Sequence, residues 1–293
     1  METQVQTLRA IETVKADDVF VIVLVTQNIV DVDICGRNTS AWVEKAVSAY
    51  KYIIVPIRRG DDIISMVRAN AVKDKKYCVV VYADTPLVRA ETIDQALSFA
   101  ATYCHKVVQM PRGWIFEMEG IDKLDGVESV FVPNLDEVDF TVAYNHAQVA
   151  LITSYARQRI NDAHMANGVH ISDPYATFID VDVTIGAGTT VCPNAVLRGA
   201  DIGKDCYIGA GVVFSTFDGE AKATITVGRD VYIGDKSVLV APISVGDKAR
   251  IRAASVIAQD VPKGALAMAR ARQSMLENFR TKNGEGDNPD GGI

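Results

Sequence analysis

The sequence predicts a two-domain chain: an α/β domain, a long connecting helix, and a parallel β-helix built from six-residue repeats. Three observations lead to this prediction. Apolar, strand-like runs alternate with helical patterns through the first half of the chain. An amphipathic helical pattern then covers residues 145–167, and after it aliphatic residues recur with a period of six. Strand–helix alternation is typical of a mainly parallel sheet with helices on its faces, and a hexapeptide period is typical of a β-helix.

The six-residue period covers residues 179–257, with one five-residue step and one interruption of twelve residues. Neither the helical period of 3.6 nor simple alternation explains this spacing. Each repeat is therefore expected to form one flat face and one corner, with its aliphatic side chain pointing inward. Twelve of the thirteen positions on the period are Ile, Val or Leu: Ile179, Ile185, Val191, Leu197, Ile202, Ile208, Phe214, Val227, Ile233, Leu239, Val245, Ile251 and Ile257.

The first half of the chain contains five apolar runs that predict buried strands, separated by helical patterns. The alternation implies a mainly parallel sheet with helices on both faces. The strands are predicted at residues 18–25, 51–56, 77–82, 106–110 and 129–132. The helices are predicted at residues 40–50, 62–73 and 90–102.

Four segments follow from these patterns. The α/β domain takes residues 1–144, the linker helix 145–168, the β-helix 169–268, and a C-terminal helix with a disordered tail 269–293. Asn167-Gly168 is a favourable stop for the linker helix, because Gly tolerates the left-handed conformation at a helix end. The last residues are rich in Gly and Asp, a composition that buries too little apolar surface to fold alone.

Composition narrows the class of function. The net charge of −7 argues against a nucleic-acid-binding surface, and no apolar run reaches the ~18 residues that cross a membrane. The five cysteines are scattered and show no C-x-x-C spacing. They are expected to be free thiols in a reducing cytoplasm.

Several stretches resemble one family of bacterial enzymes. The segment V-V-V-Y-A-D-T-P-L-V at residues 79–88 is similar to a strand and metal-binding aspartate of that family. Residues 159–180, R-I-N-D-A-H-M-A-N-G-V-H-I-S-D-P-Y-A-T-F-I-D, resemble its linker helix and first coil. T-F-D-G at 216–219 resembles its N-Y-D-G loop, and residues 227–273 resemble its last coils. The family is the bifunctional glucosamine-1-phosphate acetyltransferase and N-acetylglucosamine-1-phosphate uridyltransferase. The resemblance implies a nucleotidyltransferase-like, Rossmann-like α/β domain, a left-handed β-helix, and a homotrimer.

The first domain departs from the family pattern. The family carries a Gly-rich phosphate loop, L-A-A-G-x-G-T-R-M, after its first strand, whereas residues 25–38 here contain one glycine and no G-T-R. The resemblance implies that Asp84 binds Mg²⁺, although a turn or N-cap residue ahead of Pro86 is the alternative. The family's second metal ligand, an Asn, falls at Tyr144, with Asn145 one residue away.

The β-helix also departs from the family pattern. The family's histidine base falls near Pro193 and its partner tyrosine near Val196, and no histidine lies within residues 179–257. No catalytic residue is therefore predicted, and acetyl-CoA binding is expected without acetylation of glucosamine-1-phosphate. The nearest histidine, His170, is either a surface residue or a substitute base.

The resemblance still matches three residues that imply contacts with acetyl-CoA or the acceptor: Lys222, Ala253 and Arg270. Their alternative roles are a solvated loop lysine, a small packing residue and a helix-end arginine.

In the α/β domain, the loop Arg58-Arg59-Gly60-Asp61-Asp62 follows a strand and precedes a helix. Its arginines could meet a phosphate, or the loop could be solvated and cap the helix.

Three hypotheses for function remain open. The first is a nucleotide-sugar or acyl-CoA related transferase with both family active sites incomplete. The second is a catalytically inactive, trimeric binding or scaffold protein. The third is a β-helix acyltransferase of another specificity with a relic first domain, which needs a base that the sequence does not show. Enzymatic activity is thus uncertain from sequence. In each case the partners are a second and third copy of the chain and a nucleotide sugar or acyl-CoA, with no nucleic acid and no membrane.

Overall fold

A computed structural model of the chain describes residues 13–27, 29–70, 72, 74–124, 126–216 and 222–275. It contains an α/β domain, a long helix and a β-helix in that order, which confirms the predicted fold class. Among the described helices, none combines the length and apolarity needed to cross a bilayer.

The α/β domain is built on a six-stranded sheet in the order β4-β1-β5-β7-β6-β8. All neighbours are parallel except at β7, which runs antiparallel to both β5 and β6. The strands are β1 (Val19–Thr26), β4 (Lys51–Ile57), β5 (Tyr77–Tyr82), β6 (Val107–Met110), β7 (Gly113–Glu117) and β8 (Val130–Phe131), and a hairpin outside the sheet contains β2 (Asp33–Ile34) and β3 (Arg37–Asn38). The helices are α1 (Thr39–Ala46), α2 (Ile63–Ala69) and α3 (Ala90–Tyr103), with 3-10 turns at Ala16–Asp18, Ile121–Lys123 and Glu137–Phe140.

Helices cover both faces of this sheet, so its central strands are apolar at nearly every position. In β1, the residues Val19 to Leu24 are at most 2% exposed. Continuous burial of this kind is typical of parallel strands between two layers of helices. The sheet therefore presents its polar groups mainly at strand ends, where the loops carry them.

The long helix α4 (His146–Ala166) connects the two domains. It begins where Asn145 Oδ1 accepts a hydrogen bond from the Gln148 N–H (2.9 Å), and it ends at Asn167 before Gly168, whose φ is +86°. This agrees with the predicted bounds. In its last turns, the buried Asn161 donates through Nδ2 to the carbonyls of Pro174 (2.8 Å) and Thr177 (3.1 Å). These bonds tie the helix to the start of the β-helix.

The β-helix has three flat faces of parallel strands, each face a sheet through successive coils. The first face contains β9 (His170–Ile171), β12 (Thr190–Val191), β15 (Tyr207–Ile208), β18 (Tyr232–Ile233), β21 (Arg250–Ile251) and β23 (Leu266–Ala267). The second contains β10 (Phe178–Ile179), β13 (Val196–Leu197), β16 (Val213–Ser215), β19 (Val238–Val240) and β22 (Val256–Ile257). The third contains β11 (Thr184–Ile185), β14 (Ala200–Ile202), β17 (Ile225–Val227) and β20 (Ile243–Val245).

The register of these faces stacks the aliphatic positions of the six-residue period on one another. Val191, Ile208, Ile233 and Ile251 form one inward row, since each pairs with the next across neighbouring strands. All four are fully buried. The period thus places one aliphatic side chain per repeat in a continuous core, as the sequence predicted.

The C-terminal segment differs from the prediction. Residues 269–275 form no helix, and the rest of the predicted helix and tail lies outside the described residues. The cause is hydrogen bonding to the coil below: the N–H groups of Arg252 and Val256 donate to the carbonyls of Ala267 and Ala269 (3.0 Å each). The segment therefore begins as an extended continuation of the β-helix.

Candidate functional site

A cavity of about 690 Å³ opens at the carboxyl ends of β1, β4 and β5. This position follows from the topology, because parallel strands bring their carboxyl ends, and the loops after them, to one edge of the sheet. Both arginines of the loop after β4, Arg58 and Arg59, line it. Its other walls are formed by Thr26, Gln27, Ile57, Gly60, Asp61, Ile63, Tyr82, Arg112 and Tyr144.

Asp84 lies beside this cavity, where it is fully buried. Both of its carboxylate oxygens accept hydrogen bonds from Arg112, at 2.9 Å from Nε to Oδ1 and 2.6 Å from Nη2 to Oδ2. The Thr26 hydroxyl donates a longer bond of 3.3 Å to Oδ2. The residue predicted as a metal ligand is therefore one half of a bidentate ion pair.

The aromatic rings of Tyr82 and Tyr144 pack against the Arg112 guanidinium. Its central carbon lies 4.1 Å from the ring centroid of Tyr82 and 5.4 Å from that of Tyr144. Burial raises the pKa of both phenols, the charge of Asp84 raises them further, and Arg112 opposes the shift. The structure thus places Tyr144 near Arg112 and Asp84, whereas Asn145 caps α4.

These donors do not fit a magnesium site. The one buried carboxylate is bound by a guanidinium, and a tyrosine stands at the second ligand position. Among the described residues, no group of three or more His, Cys, Asp or Glu side chains is arranged to hold a metal. Ligation of a metal by Asp84 stays a prediction, and it would require Arg112 to leave the carboxylate.

A second cavity, of about 710 Å³, lies where the β2–β3 hairpin of the α/β domain meets the first coils of the β-helix. Lys222 lines this cavity. It is also lined by Asp33, Gly36, Asp180, Asp182, Val196, Arg198, Gly199, Val213, Phe214, Ser215, Thr216, Ala223 and Thr224. We call it the junction cavity, since both domains contribute to it.

The hairpin is fixed against the first coil by backbone and side-chain bonds. The Val181 N–H donates to the Cys35 carbonyl (2.9 Å), and Arg37 Nη2 donates to Asp182 Oδ1 (2.5 Å). Gly36 has φ of +90°, and a Cβ there would stand 2.8 Å from the Cβ of Asp180. Only glycine allows this approach, which brings the hairpin directly onto Asp180.

Asp180 is half-buried under the hairpin, and among the described residues its carboxylate accepts no hydrogen bond. Burial raises its pKa and the negative charges of Asp33 and Asp182 add to the shift, while the positive charges of Arg198 and Lys222 oppose it. Burial also raises the pKa of the neighbouring Cys35 thiol to about 11, so that group stays protonated. Asp180 therefore lines the cavity with a carboxylate that no described residue engages by a hydrogen bond.

The three residues matched to the family do not meet in this structure. Lys222 lies in the junction cavity, where its Nζ is 3.5 Å from Asp33 Oδ2. Ala253, in the corner after β21, and Arg270, beyond β23, are both exposed and outside the cavity. Of the T-F-D-G loop, Thr216 lines the cavity and residues 217–219 lie outside the described part of the chain. His170 is exposed on β9 and does not line the cavity.

Sequence reasoning missed Arg112, Asp180 and Arg198. Arg112 follows Pro111 in the two-residue turn between β6 and β7, and β7 itself was not predicted. Asp180 and Arg198 each follow a period position, Ile179 and Leu197, by one residue. The sequence could have indicated that Asp180 and Arg198 lie close together, because they occupy equivalent positions in two neighbouring coils. Stacking of the coils places such positions on the same face.

Comparison with known proteins finds similarity to a hexapeptide-repeat family model and to the GlmU proteins. The family model described as "Hexapeptide repeat of succinyl-transferase" matches residues 179–214 and 224–259. The Bifunctional protein GlmU of Latilactobacillus sakei is 31% identical over 240 residues, covering 52% of this chain and 51% of the relative. That of Stenotrophomonas maltophilia strain R551-3 is 39% identical over 132 residues (45% and 28%), and that of Oenococcus oeni is 28% identical over 263 residues (72% and 59%). The matches thus span between 28% and 59% of the length of these relatives.

Solved structures show weaker likeness. A hexapeptide-repeat acetyltransferase from Vibrio cholerae, complexed with acetyl coenzyme A, is 20% identical with a TM-score of 0.33, covering 43% of this chain and 87% of that one. Soybean serine acetyltransferase is 22% identical with a TM-score of 0.31, covering 44% and 60%.

Proposed function

We propose that this chain, which is similar to the bifunctional GlmU proteins over part of their length, is an acyl-CoA-dependent transferase. Its acceptor is a phosphorylated amino sugar that binds in the junction cavity. The observation that carries the proposal is the position of Asp180: a half-buried carboxylate with a raised pKa, beside Lys222 and Arg198 in one cavity.

The cavity offers complementary charges to such an acceptor. Lys222 and Arg198 provide cationic donors for a phosphate group, and charge-assisted bonds of this kind are among the stronger hydrogen bonds in proteins. Asp180 provides an acceptor for an ammonium or hydroxyl group of the same molecule. A cavity of about 710 Å³ has room for a sugar phosphate and part of a second ligand.

Acyl transfer to an amine requires that the nucleophile be neutral when it attacks the thioester carbonyl. In the proposed reaction, the amine loses a proton to Asp180, its nitrogen forms a bond to the acyl carbon, and the carbon–sulfur bond of the thioester breaks. The thiolate leaves with the electron pair and is then protonated. A raised pKa makes Asp180 a better proton acceptor than an ordinary aspartate, since base strength follows pKa.

The thioester would be held by the residues that the family resemblance matches. Lys222 is in place at the cavity, while Ala253 and Arg270 are exposed on later coils and are free to contact acetyl-CoA outside it. We infer that they act from a neighbouring subunit of a homotrimer. The five free cysteines support placement in the cytoplasm, where thiols stay reduced.

A second candidate function is ligand binding without turnover. The observation that favours it is the ion pair between Lys222 and Asp33, which partly neutralises the matched lysine. The lack of a histidine within residues 179–257 also favours it, because the carboxylate of Asp180 accepts a proton from an ammonium less readily than an imidazole does. The same cavity would then serve as a binding site for the acceptor.

The experiment is a thiol-release assay with acetyl-CoA and glucosamine-1-phosphate, combined with calorimetry. Thiol release by the wild type that falls about 10²-fold or more in Asp180→Asn, the usual effect of removing a general base, supports acyl transfer. Asp182→Asn is the matched control, since Asp182 lines the same cavity but is paired with Arg37. Binding that is lost in Lys222→Ala, with no thiol release in any variant, supports the second candidate instead.

Uridyl transfer is expected to be absent or very slow. That reaction needs the triphosphate held in line and its charge neutralised. Residues 25–38 offer no Gly-rich loop, and Arg112 engages Asp84. Turnover of UTP and N-acetylglucosamine-1-phosphate at about 1 s⁻¹ or faster, an ordinary enzyme rate, would show this expectation to be wrong.

A further inference from the structure

We propose that the cavity at the carboxyl ends of β1, β4 and β5 binds a phosphate-bearing ligand through arginine side chains and without a divalent metal. Three arginines face it: Arg58, Arg59 and Arg112. The site is distinct from the junction cavity and does not depend on the transferase proposal. In this cavity, the guanidinium of Arg112 occupies the position beside Asp84 that a metal ion would need.

Arg112 is preorganised to bind an anion. Its Nε and Nη2 groups are held by the two oxygens of the buried Asp84, and its faces are flanked by Tyr82 and Tyr144. Its third nitrogen, Nη1, donates to no group in the described part of the chain. Because the guanidinium is already ordered, a ligand oxygen that accepts from Nη1 costs little side-chain entropy.

Arg58 and Arg59 are presented by a loop whose shape is set locally. The Arg58 N–H donates to Asp61 Oδ2 (2.8 Å) and the Asp61 N–H donates to the Arg58 carbonyl (3.2 Å). Gly60, with φ of +99°, completes the turn, and Asp62 caps α2 by accepting from the Ile64 and Ser65 N–H groups. Both arginines are exposed, and neither forms an ion pair with a described residue. The two acidic residues thus shape the loop and cap the helix, while the arginines face the cavity.

The charges of the cavity favour an anion over a cation. Three guanidinium groups face two carboxylates, those of Asp61 and Asp84, so the walls carry excess positive charge although the whole chain has a net charge of −7. A dication beside Asp84 would be repelled by Arg112, whose nitrogens lie 2.6 and 2.9 Å from the carboxylate oxygens. Guanidinium groups match the geometry of phosphate oxygens and bind them bidentately.

The ligand is expected to be as large as a pyrophosphate or a nucleotide. A volume of about 690 Å³ lies within the range of small-molecule sites, and only part of the wall is charged. Thr26 and Gln27 at the end of β1 add polar groups, and Tyr144 adds an aromatic ring, 45% exposed, that could contact a base or sugar. Pyrophosphate, UTP and N-acetylglucosamine-1-phosphate distinguish recognition of phosphate alone, of a nucleotide and of a sugar phosphate.

The test is calorimetry of the full chain with each of these three probes, in Mg²⁺ and in EDTA. We expect at least one probe to bind with the same dissociation constant in both buffers, within about threefold. The double variant Arg58→Ala/Arg59→Ala should weaken that binding by about tenfold or more, because it removes two charged donors. Arg229→Ala is the matched control: it removes an exposed positive charge from the β-helix, outside both cavities, and should leave this binding unchanged.

A further variant tests the role of Arg112. Arg112→Lys keeps the charge beside Asp84 but removes the planar donor set, so it should weaken binding while the protein still folds. Three outcomes would overturn the proposal: no binding of any probe at millimolar concentration, binding that requires Mg²⁺, or wild-type affinity in the Arg58→Ala/Arg59→Ala protein. Loss of binding in Lys222→Ala alone would place the probe in the junction cavity and overturn it equally.

Discussion

Ile233 is the residue that best tests the interior of the β-helix, because it is fully buried in the middle of an aliphatic row. We expect Ile233→Asp to destabilise the β-helix by at least about 3 kcal/mol, since the substitution buries an unpaired carboxylate and removes packed methyl groups. Denaturant unfolding followed by circular dichroism measures the effect. Thr226→Asp is the control, since Thr226 points outward on β17 and is exposed. Equal stability of the two variants would contradict the assigned register.

Asp180 provides a second prediction at this scale, through the dependence of stability on pH. Its pKa is raised by burial above the ordinary value of 3.8, so the charged form is penalised in the folded protein. The folded state binds the proton more tightly than the unfolded state, and stability therefore falls as pH rises from 3.8 through the raised pKa. Above that pKa the penalty is complete.

We therefore expect Asp180→Asn to be more stable than the wild type at pH 7. The difference should shrink as pH is lowered through the raised pKa, because the wild-type carboxyl then becomes neutral as well. Thermal unfolding of both proteins between pH 4 and pH 8 measures this. Asp182→Asn is the control, and a stability difference for Asp180→Asn that grows on acidification would show that the sign of the shift is wrong.

Some residues of the two cavities could be predicted from the sequence, and others could not. The sequence predicted Lys222 as a contact of acyl-CoA or the acceptor, and that role stays a prediction, although the structure places Lys222 at the junction cavity. The sequence could not locate Arg112, since the bidentate pair with Asp84 joins two residues that lie 28 positions apart in the sequence. The raised pKa of Asp180 likewise depends on the hairpin that covers it, and burial cannot be calculated from composition.

Elements were predicted well where their pattern is local. The strands β1, β4, β5 and β6 and the helices α3 and α4 lie within one or two residues of their predicted bounds. The strand β7 was missed because G-W-I-F-E is short and follows Pro111 closely. The predicted C-terminal helix was wrong over residues 269–275, where bonds to the coil below outweigh local propensity.

Helix α4 is joined to the α/β domain by one buried carboxylate. Asp139, which is fully buried, accepts hydrogen bonds from Arg89 Nε (3.1 and 3.2 Å), from Arg159 Nη2 (2.5 Å) and from the Thr92 hydroxyl. Arg159 also donates to the Leu87 carbonyl (2.8 Å). A buried pair of this kind is costly to break, because removal of one partner leaves the other charged groups unpaired.

We expect Asp139→Ala to destabilise the protein by about 3–5 kcal/mol, since it leaves two arginines without their buried partner. Asp136→Ala is a matched control, because Asp136 pairs with the same two arginines but its side chain is 44% exposed. Its loss should cost about 1 kcal/mol or less, as is usual for exposed ion pairs. Denaturant titration of both variants measures the difference, and similar losses would show that Asp139 does not hold the junction.

The three faces of the β-helix differ in what they present to the outside. On the third face, the outward positions are polar: Thr184, Asp201, Thr226 and Ser244. On the second face, one outward row is apolar and stacks in register: Phe178, Val196, Val213, Val238 and Val256. Phe178 is 45% exposed and Val256 56%. A continuous apolar row on a single flat face is the kind of surface that association of identical chains buries.

The whole molecule is therefore predicted to form a trimer through the second face, beside which the junction cavity opens through Val196 and Val213. Light scattering at micromolar concentration should give three chain masses for the wild type. Val238→Lys places a charge in the apolar row and should shift the mass toward that of one chain, because the charge would be desolvated at the interface. Ser244→Lys adds the same charge on the polar third face and should leave the trimer intact. A wild-type monomer would contradict the prediction, and dissociation by Ser244→Lys but not by Val238→Lys would assign the contact to the third face instead.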